Sequence, residues 1–402
     1  MKTALCGVIS VCFFISQSRA LEIDDIIDGV DKTLRKSAFD DSLRARLSGT
    51  FDLEAYYFTA PAPGLIDTTS HHLINPRLSL FIDAQAGSQL YFFGQVRVDR
   101  GFDPSDNGVR ISADEYALRF TLWENGVFNL QAGKFATVAG NWVGRHLSWD
   151  NPFINAPLPY EHVTAVSDLE PPFAGSYLAA PSERTKYERL PLIWGPSYGT
   201  GVSVTGSISS YEYAVEVKNA SLSSRPAAWD LTRRDFSYPT VTGHLSYRPN
   251  QMWKIGISGS EGAYLSDAAQ PFLPRRRTIG DYHQILLGQD VSFAWHHWQV
   301  WAEIYEVRFE LPRLGNADSL SYYIEVKYKF APQLYAAIRW NQEFFASFDN
   351  SSRSWSPDIS RIEAAVTHRF TANTQLKLQY YVEDEQGRDL SHAIATQFTV
   401  RF

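Results

Sequence analysis

Sulfur and long apolar segments are almost absent from this chain beyond its first twenty residues. Its two cysteines, Cys6 and Cys12, both lie near the start, so the rest of the chain has no disulfide, thiol chemistry or sulfur-ligated metal site. No apolar stretch of about 18 residues follows residue 20, which excludes a helical membrane protein. Acids outnumber bases, and the formal net charge of -7 argues against a nucleic-acid partner.

The first residues have the three parts of an export signal. Lys2 is followed by an apolar core from Ala4 to Ile15 and then by Ser18-Arg19-Ala20, a small-residue cleavage site. This order predicts a secretory signal peptide over residues 1–20.

What the chain has in abundance is alternation. Apolar residues occupy the odd positions from Leu43 to Tyr57, while most even positions are polar. Runs with this period recur up to Phe402, which predicts strands with one apolar and one polar face. A soluble sheet would need a second layer to cover so many apolar faces, and the sequence offers none. Residues 41–402 are therefore predicted to form one all-β domain, an antiparallel transmembrane β-barrel.

The number of runs predicts the size of this barrel. About sixteen are found, an even number, at residues 43–57, 77–86, 90–100, 114–123, 127–135, 198–208, 211–220, 240–248, 252–261, 282–295, 298–309, 319–330, 334–344, 359–370, 374–384 and 392–402. A barrel of this size encloses an aqueous channel. Short turns such as Gly87-Ser88-Gln89 and His296-His297 follow even-numbered runs, and every connection after an odd-numbered run is expected to be longer. Bacterial barrels place short turns in the periplasm and long loops outside.

Residues 21–40 depart from the alternation. Ile23, Ile26, Ile27, Val30 and Leu34 have roughly helical spacing, which predicts a short N-terminal helix. It would be either a periplasmic extension or a helix packed inside the pore.

The connection after the fifth run, residues 136–197, is several times longer than an ordinary loop. Its many aromatic residues and prolines predict an ordered structure. It would either fold inward and constrict the barrel, or form an external flap over the mouth or a subunit contact. The residues expected to line the pore, on this loop or on the wall around it, are Arg44, Arg46, Arg97, Glu115, Arg119, Lys134, Arg145, His146, Trp149 and Asp150.

Charges of both signs occupy the inward positions of the predicted strands. A mixed lining could create a transverse field that favours small polar solutes, or the charges could satisfy one another on the barrel wall.

Three short segments carry a resemblance to a known family. They are Gly133-Lys134-Phe135 at the start of the long loop, Gly288 to Trp295 turning into Trp298 to Glu303, and Thr396 to Phe402. The chain resembles bacterial porins with a long fold-in loop after strand five, and is most similar to the phosphate-selective porin (O/P) family. The resemblance implies an outer-membrane location in a Gram-negative bacterium, contact with outer-membrane lipid and a homotrimer. The ending resembles the signal shared by most outer-membrane barrels, which implies recognition by the barrel-assembly machinery through Phe402.

The predicted function is passive diffusion of small hydrophilic solutes or ions. One alternative is a channel selective for anions such as phosphate, or for sugars; another is a closed barrel that anchors a surface for binding or adhesion. No catalytic residue, metal site or cofactor is predicted. The pairs His71-His72 and His296-His297 are expected at opposite ends of the barrel, and the sequence has no phosphate-binding glycine loop or zinc motif.

Overall fold

Sixteen antiparallel strands form the barrel in the computed structural model, which describes residues 29, 35–38, 42–60, 62, 64–66, 68, 70–100, 109–123, 125–172, 186–347 and 354–402. In chain order, the barrel strands are β1 Leu43–Phe58, β2 His72–Ala86, β3 Leu90–Asp99, β4 Arg110–Thr121, β5 Asn129–Phe135, β6 Gly199–Ile208, β7 Tyr211–Lys218, β8 Thr240–Tyr247, β9 Trp253–Ala263, β10 His283–Trp295, β11 Trp298–Leu311, β12 Gly315–Ala331, β13 Leu334–Phe345, β14 Ile359–Arg369, β15 Thr374–Glu385 and β16 Ser391–Arg401.

The sheet closes on itself. The last strand, β16, pairs with β1, with Ala393 opposite Phe58 and Arg401 opposite Thr50. Strands β5 and β6 pair directly, although the long connection separates them in sequence. Every neighbour in the barrel is antiparallel, so the predicted sixteen-stranded antiparallel barrel is confirmed.

The two faces of the sheet have opposite character. Inward side chains are polar and buried, such as Glu325, Arg339 and Gln379. Each strand presents at least one large apolar side chain outward, namely Phe51, Ile82, Phe92, Leu118, Leu130, Val202, Val215, Leu245, Ile257, Leu287, Ile304, Ile324, Ile338, Ile362, Leu378 and Ile394. A water-soluble barrel has the reverse arrangement, because burial of apolar surface stabilises its interior.

The two ends of the barrel differ in their connections. We call the end where β1 begins the turn end, because tight turns such as residues 209–210 and 296–297 lie there, and the opposite end the loop end. The expectation of a longer connection after every odd-numbered strand is wrong at residues 312–314 and 386–390. Strands β11 and β12 continue further than predicted, to Leu311 opposite Gly315, and so shorten the first of these connections.

Short elements lie outside the sixteen strands. The strand Arg35–Ala38 pairs with the beginning of β1, and Val163–Ser167 pairs with Arg189–Pro191 within the long connection. Leu158–Glu161 is an α-helix, and 3₁₀ turns occur at Val143–Arg145, Lys186–Glu188, Pro226–Ala228, Asp267–Phe272 and Ile279–Asp281.

The helix predicted over residues 21–40 lies mostly outside the described residues, although Gly29 is helical. The helix does not extend to residue 40, because Arg35–Ala38 is a strand. This strand pairs with the first residues of β1, which lie beyond the end of β16. No helix in the described part of the chain has the length and apolar character needed to span a membrane.

Candidate functional site

The long connection between β5 and β6 lies against the inner face of the barrel. Its first anchor is Glu303 of β11, whose carboxylate accepts hydrogen bonds from the backbone N–H groups of Asn141 and Trp142, the latter at 2.8 Å. The hydroxyl of Tyr160 donates to the same carboxylate at 2.6 Å and contacts the hydroxyl of Tyr305 at 2.7 Å. These groups fix the beginning and the middle of the connection to one strand.

Two arginines of the wall hold the segment around the helix Leu158–Glu161. Arg361 donates to the Glu161 carboxylate at 2.6 Å and to the carbonyl oxygen of Ala156 at 2.8 Å. Arg339 donates to the carbonyl oxygen of Asn155 at 3.0 Å. Both guanidinium groups are fully buried, and each is also paired with Glu363. The wall charges around β12 to β15 therefore satisfy one another and the loop.

A histidine at the end of this helix adds a third anchor. The Nδ1 atom of His162 donates to the Glu343 carboxylate at 2.5 Å. Burial alone would lower the pKa of His162, but Glu343, with Glu385 and Glu383 nearby, raises it above its ordinary value.

The connection has its own apolar core, which explains how it keeps its path. Trp142 packs on Tyr160 with ring centroids 4.5 Å apart, and Leu192 and Trp194 are fully buried. Gly140 has a φ of +71°, and a Cβ built there would lie 2.1 Å from the hydroxyl of Tyr305. Only glycine permits this close approach to the wall.

The connection leaves an open cavity on the side of β1, β2 and β3, with about 1140 Å³ of empty space when the adjoining solvent is included. The wall side is lined by Thr50, Asp52, Glu54, Tyr56, Asn75, Arg77, Ser79, Gln95, Arg97 and Asp99, and the loop side includes His146, Leu147, Ser148, Asn151, Ile154, Asn155 and Tyr198.

Opposite charges are interleaved along the cavity wall. Arg77 pairs with Asp52, at 3.6 Å, and with Glu54. Arg97 is buried and pairs with Asp99 at 3.4 Å and Asp114 at 2.8 Å. The mixed charge predicted for the lumen thus includes ion pairs on β1 to β3 that border open space, beside those that the loop covers on β12 to β15.

His146 faces this wall from the loop. Its Nδ1 lies 2.6 Å from the carbonyl oxygen of Val143, and its Nε2 lies 2.7 Å from the Tyr198 hydroxyl. A carbonyl can only accept, so Nδ1 carries the proton and Nε2 accepts from Tyr198. Burial, together with the positive charges of Arg97 and Arg77, lowers the pKa of His146 to about 4.

The predicted pore residues are distributed over several places. Only Arg97 and His146 line the cavity. Arg44 and Arg46 share the inner face of β1 at the turn end and are exposed, while Arg119 donates to Gln131 at 2.8 Å on the inner face of β4.

The other predicted residues lie away from the cavity. Glu115 accepts the backbone N–H of Ala136 at 2.8 Å and so fixes the start of the loop. Lys134 pairs with Asp230 at 2.9 Å in the connection between β7 and β8. Arg145 is buried against Glu325 at 2.6 Å. Trp149 is buried between two arginines, and Asp150 is exposed.

Several cavity residues were absent from the predicted set, among them Ser148, Asn151 and Ile154. The types of these residues give no signal, because a loop without periodicity does not indicate which side chains point inward. The sequence does indicate that three other cavity residues face the lumen, because alternation places Asp52, Glu54 and Arg77 on the polar face of their strands.

No protein-family model matches the chain, and no curated protein does. Three solved structures have a similar fold. An anion-selective porin from Comamonas acidovorans has a TM-score of 0.57 at 9% identity, with 90% of this chain and 100% of that chain covered. The trimer form of OmpT, an outer membrane protein of Vibrio cholerae, has a TM-score of 0.55 at 10% identity, with 90% and 100% covered. The outer membrane channel DcaP of Acinetobacter baumannii has a TM-score of 0.55 at 10% identity, with 91% and 100% covered. The chain therefore has the fold of these outer-membrane barrels.

Proposed function

We propose that the protein is an outer-membrane porin, through which small hydrophilic solutes or ions diffuse passively. The cavity between the long loop and β1 to β3 would be the narrow part of the path. Solutes would pass between His146 on the loop and the ion pairs of Arg77 and Arg97 on the wall.

The observation that carries this proposal is the large apolar side chain that every strand presents outward, around a polar interior. Such a continuous apolar belt is far larger than the apolar patches of soluble monomers and suits the hydrocarbon of a bilayer. Exposed tryptophans at the turn end, such as Trp253, Trp295 and Trp298, fit the lipid–water interface.

The proposed function implies a cellular location and an orientation in the membrane. The turn end would face the periplasm and the loop end the outside of a Gram-negative cell. Residues 1–20, which lie outside the described residues, would direct export, and Phe402 would be read by the barrel-assembly machinery. We also propose kinship with the phosphate-selective O/P porins, which rests on the three sequence motifs.

A homotrimer is proposed as the assembly. Strands β14 to β16 and β1 to β3 are contiguous in the barrel and contain no tryptophan. Strands β4 to β8 also contain none, but exposed Trp123 lies in the turn after β4, and the other exposed tryptophans are Trp253, Trp295, Trp298 and Trp340. Because tryptophan favours the membrane interface, the tryptophan-free part of the outer face suits contact with a second copy. Light scattering of the detergent-solubilised protein should give three chains per particle; one chain would contradict this proposal.

The competing function is a closed barrel that anchors a binding surface. It is favoured by how fully the loop packs against β11 to β15, where Glu325, Arg339 and Arg361 have no exposed surface. The two functions differ in one property, which is whether the reconstituted barrel conducts ions.

Reconstitution in a planar bilayer tests the porin proposal. Stepwise conductance is expected, and a folded barrel without conductance would overturn it. Ser79 lines the cavity, so Ser79→Trp should lower the single-channel conductance. The same change at its outward neighbour, Leu80→Trp, is the matched control and should leave the conductance unchanged. Equal conductance in both variants would place the ion path elsewhere.

A further inference from the structure

The charges on β1 and β2 that border the cavity already have partners. Arg77 pairs with Asp52 at 3.6 Å and also with Glu54, and 19% of its side chain is exposed, against 2% and 3% for the two carboxylates. Each carboxylate has a further partner, because Thr399 donates to Asp52 at 2.6 Å and Gln397 donates to Glu54 at 2.8 Å. This part of the described wall therefore offers an entering ion no exposed, unpaired charge.

The other charges of the lining are also paired or lie at the rim. Arg97 pairs with Asp99 at 3.4 Å, and both side chains are buried. Glu161, on the loop side, accepts a hydrogen bond from Arg361 at 2.6 Å. Arg100 is exposed at the loop-end rim, where the surrounding salt solution screens its charge. The charged side chains of the lining thus attract a free ion only weakly.

Apart from Glu161, the described loop side of the lining is uncharged at neutral pH. His146 is neutral above its pKa of about 4, and both of its ring nitrogens have hydrogen-bond partners. The remaining side chains on this side are aliphatic, aromatic, hydroxyl or amide groups. A solute that crosses the cavity therefore passes between a wall of paired charges and a neutral loop.

One part of the lining is apolar. Ile66, from the connection between β1 and β2, and Ile154, from the long loop, pack against the cluster that contains Tyr56 and Leu73. All four side chains line the cavity, and both isoleucines remain partly exposed there. Apolar surface of this kind stabilises the C–H groups of a solute, whereas it cannot replace the hydration shell of an ion.

Within the described residues, one donor and one acceptor of the lining have no hydrogen-bond partner. They are Nε of Arg77 and the amide oxygen of Asn155, both of which are buried. The first atom needs an acceptor and the second needs a donor. An ionised carboxylate offers acceptors only, and an ammonium group offers donors only. A hydroxyl group offers both, so a solute with several hydroxyl groups can satisfy both atoms.

We propose that the cavity is a selectivity site for small neutral polyhydroxylated solutes, of which a monosaccharide is the simplest example. The inference rests on the proposed porin function and names the solute class that the cavity would favour over ions. Hydroxyl groups of the solute would bond to Arg77 and Asn155, and its C–H groups would lie against Ile66 and Ile154. Because the wall charges hold one another in place, little side-chain freedom is lost when the solute binds.

The test compares three sugars with the same ring that differ in charge, namely glucose, the cation glucosamine and the anion glucuronate. Uptake of each radiolabelled sugar is measured at pH 6 in proteoliposomes that contain the full-length protein. Glucose uptake should be faster than that of either charged sugar by about fivefold or more, the factor expected for one buried hydrogen bond left unmade. Equal rates, or faster uptake of a charged sugar, would overturn the inference.

The unpaired amide oxygen can be removed with little change in side-chain size. In Asn155→Leu, glucose uptake should fall by about fivefold, while uptake of the two charged sugars should stay nearly constant. Asn316→Leu is the matched control, because it makes the same change at an exposed position of β12 outside the lining. It should leave all three rates unchanged.

A second variant tests the same cavity if Asn155→Leu fails to fold. Leu147→Asp places a carboxylate on the uncharged side of the lining, so glucosamine uptake should rise above that of glucuronate. A change shared equally by all three sugars in both variants would overturn the inference, and ion conductance would still leave the porin proposal intact. Absence of both uptake and conductance would overturn the porin proposal itself.

Discussion

Arg361 in β14 donates a hydrogen bond of 2.6 Å to the carboxylate of Glu161, 200 residues away in sequence. Both side chains are buried, and the same guanidinium pairs with Glu363 at 2.6 Å. This contact joins the helix of the long loop to the wall, so it is one of the anchors that fix how much of the lumen the loop occupies.

Replacement of Arg361 by Gln should release this part of the loop. Glu161, Glu363 and Glu383 would lose their shared cation, and an uncompensated buried charge of this kind costs about 3–5 kcal/mol. We expect earlier thermal unfolding of the detergent-solubilised barrel, faster proteolysis of the loop and a larger single-channel conductance. Arg388→Gln, which removes an exposed arginine paired with Glu385, is the control. Unchanged conductance and proteolysis in Arg361→Gln would show that the loop is held by other contacts.

The second prediction concerns the closest approach of the loop to the wall. In Gly140→Ala the new Cβ would collide with the Tyr305 hydroxyl and with the Glu303 carboxylate, in a backbone conformation that disfavours side chains. The loop should therefore shift, with a loss of stability of about 1–3 kcal/mol. Gly144→Ala is a matched control, since nothing lies within 4 Å of a Cβ there. The unfolding temperature of each variant measures the loss of stability. Equal unfolding temperatures for Gly140→Ala and Gly144→Ala would show that the close approach at Gly140 does not require glycine.

The third prediction concerns the end of the barrel. Gly49 and Phe402 exchange backbone hydrogen bonds of 2.9 and 3.0 Å, and a Cβ at Gly49 would lie 2.6 Å from the Phe402 ring. Gly49→Val should displace this ring and lower the yield of folded, heat-modifiable barrel. Gly243→Val, at an open strand position whose nearest atom is 3.9 Å away, is the control. Equal yields would show that the seat of Phe402 is not required for assembly.

The barrel was predictable because its signal is periodic and local. Alternating polarity indicates which side chains lie on the same face of a strand and where a strand begins and ends. Most strand bounds were therefore predicted to within two residues, and those at residues 211 and 334 were predicted without error. The predicted start of β12, at residue 319, was late because Gly315 to Asp318 extend the strand beyond the apolar alternation.

The site was less predictable because it depends on long-range pairing. Nothing in the composition of the loop shows that Arg145 turns to Glu325 or that Trp149 enters between Arg369 and Arg401. Lys134 was expected to line the pore, but it stands beside Gly133, whose φ is +141°, and its pairing with Asp230 in the connection between β7 and β8 could not be deduced from sequence.

The last prediction is a pH dependence of ion preference. His146 is neutral above its pKa of about 4, and protonation would place a positive charge in the cavity opposite Arg77 and Arg97. Cation conductance should therefore fall as the pH drops through about 4, and Nε2 could no longer accept from Tyr198. Because the folded pKa lies below the ordinary value of 6.5, the unfolded chain binds more protons between these values. The contribution of His146 to stability is thus complete above about 6.5 and is lost as the pH falls toward 4.

Carboxylates of the wall titrate in the same acidic range, so the wild-type profile alone would not isolate the histidine. His146→Gln keeps a polar side chain at this position without the titration. The reversal potential of both proteins should be measured from pH 7 to pH 3, and the difference between the two curves is the contribution of His146. We expect the curves to coincide near neutral pH and to separate below about pH 5, with the wild type preferring anions more strongly. Curves that coincide throughout would show that the imidazole does not face the ion path.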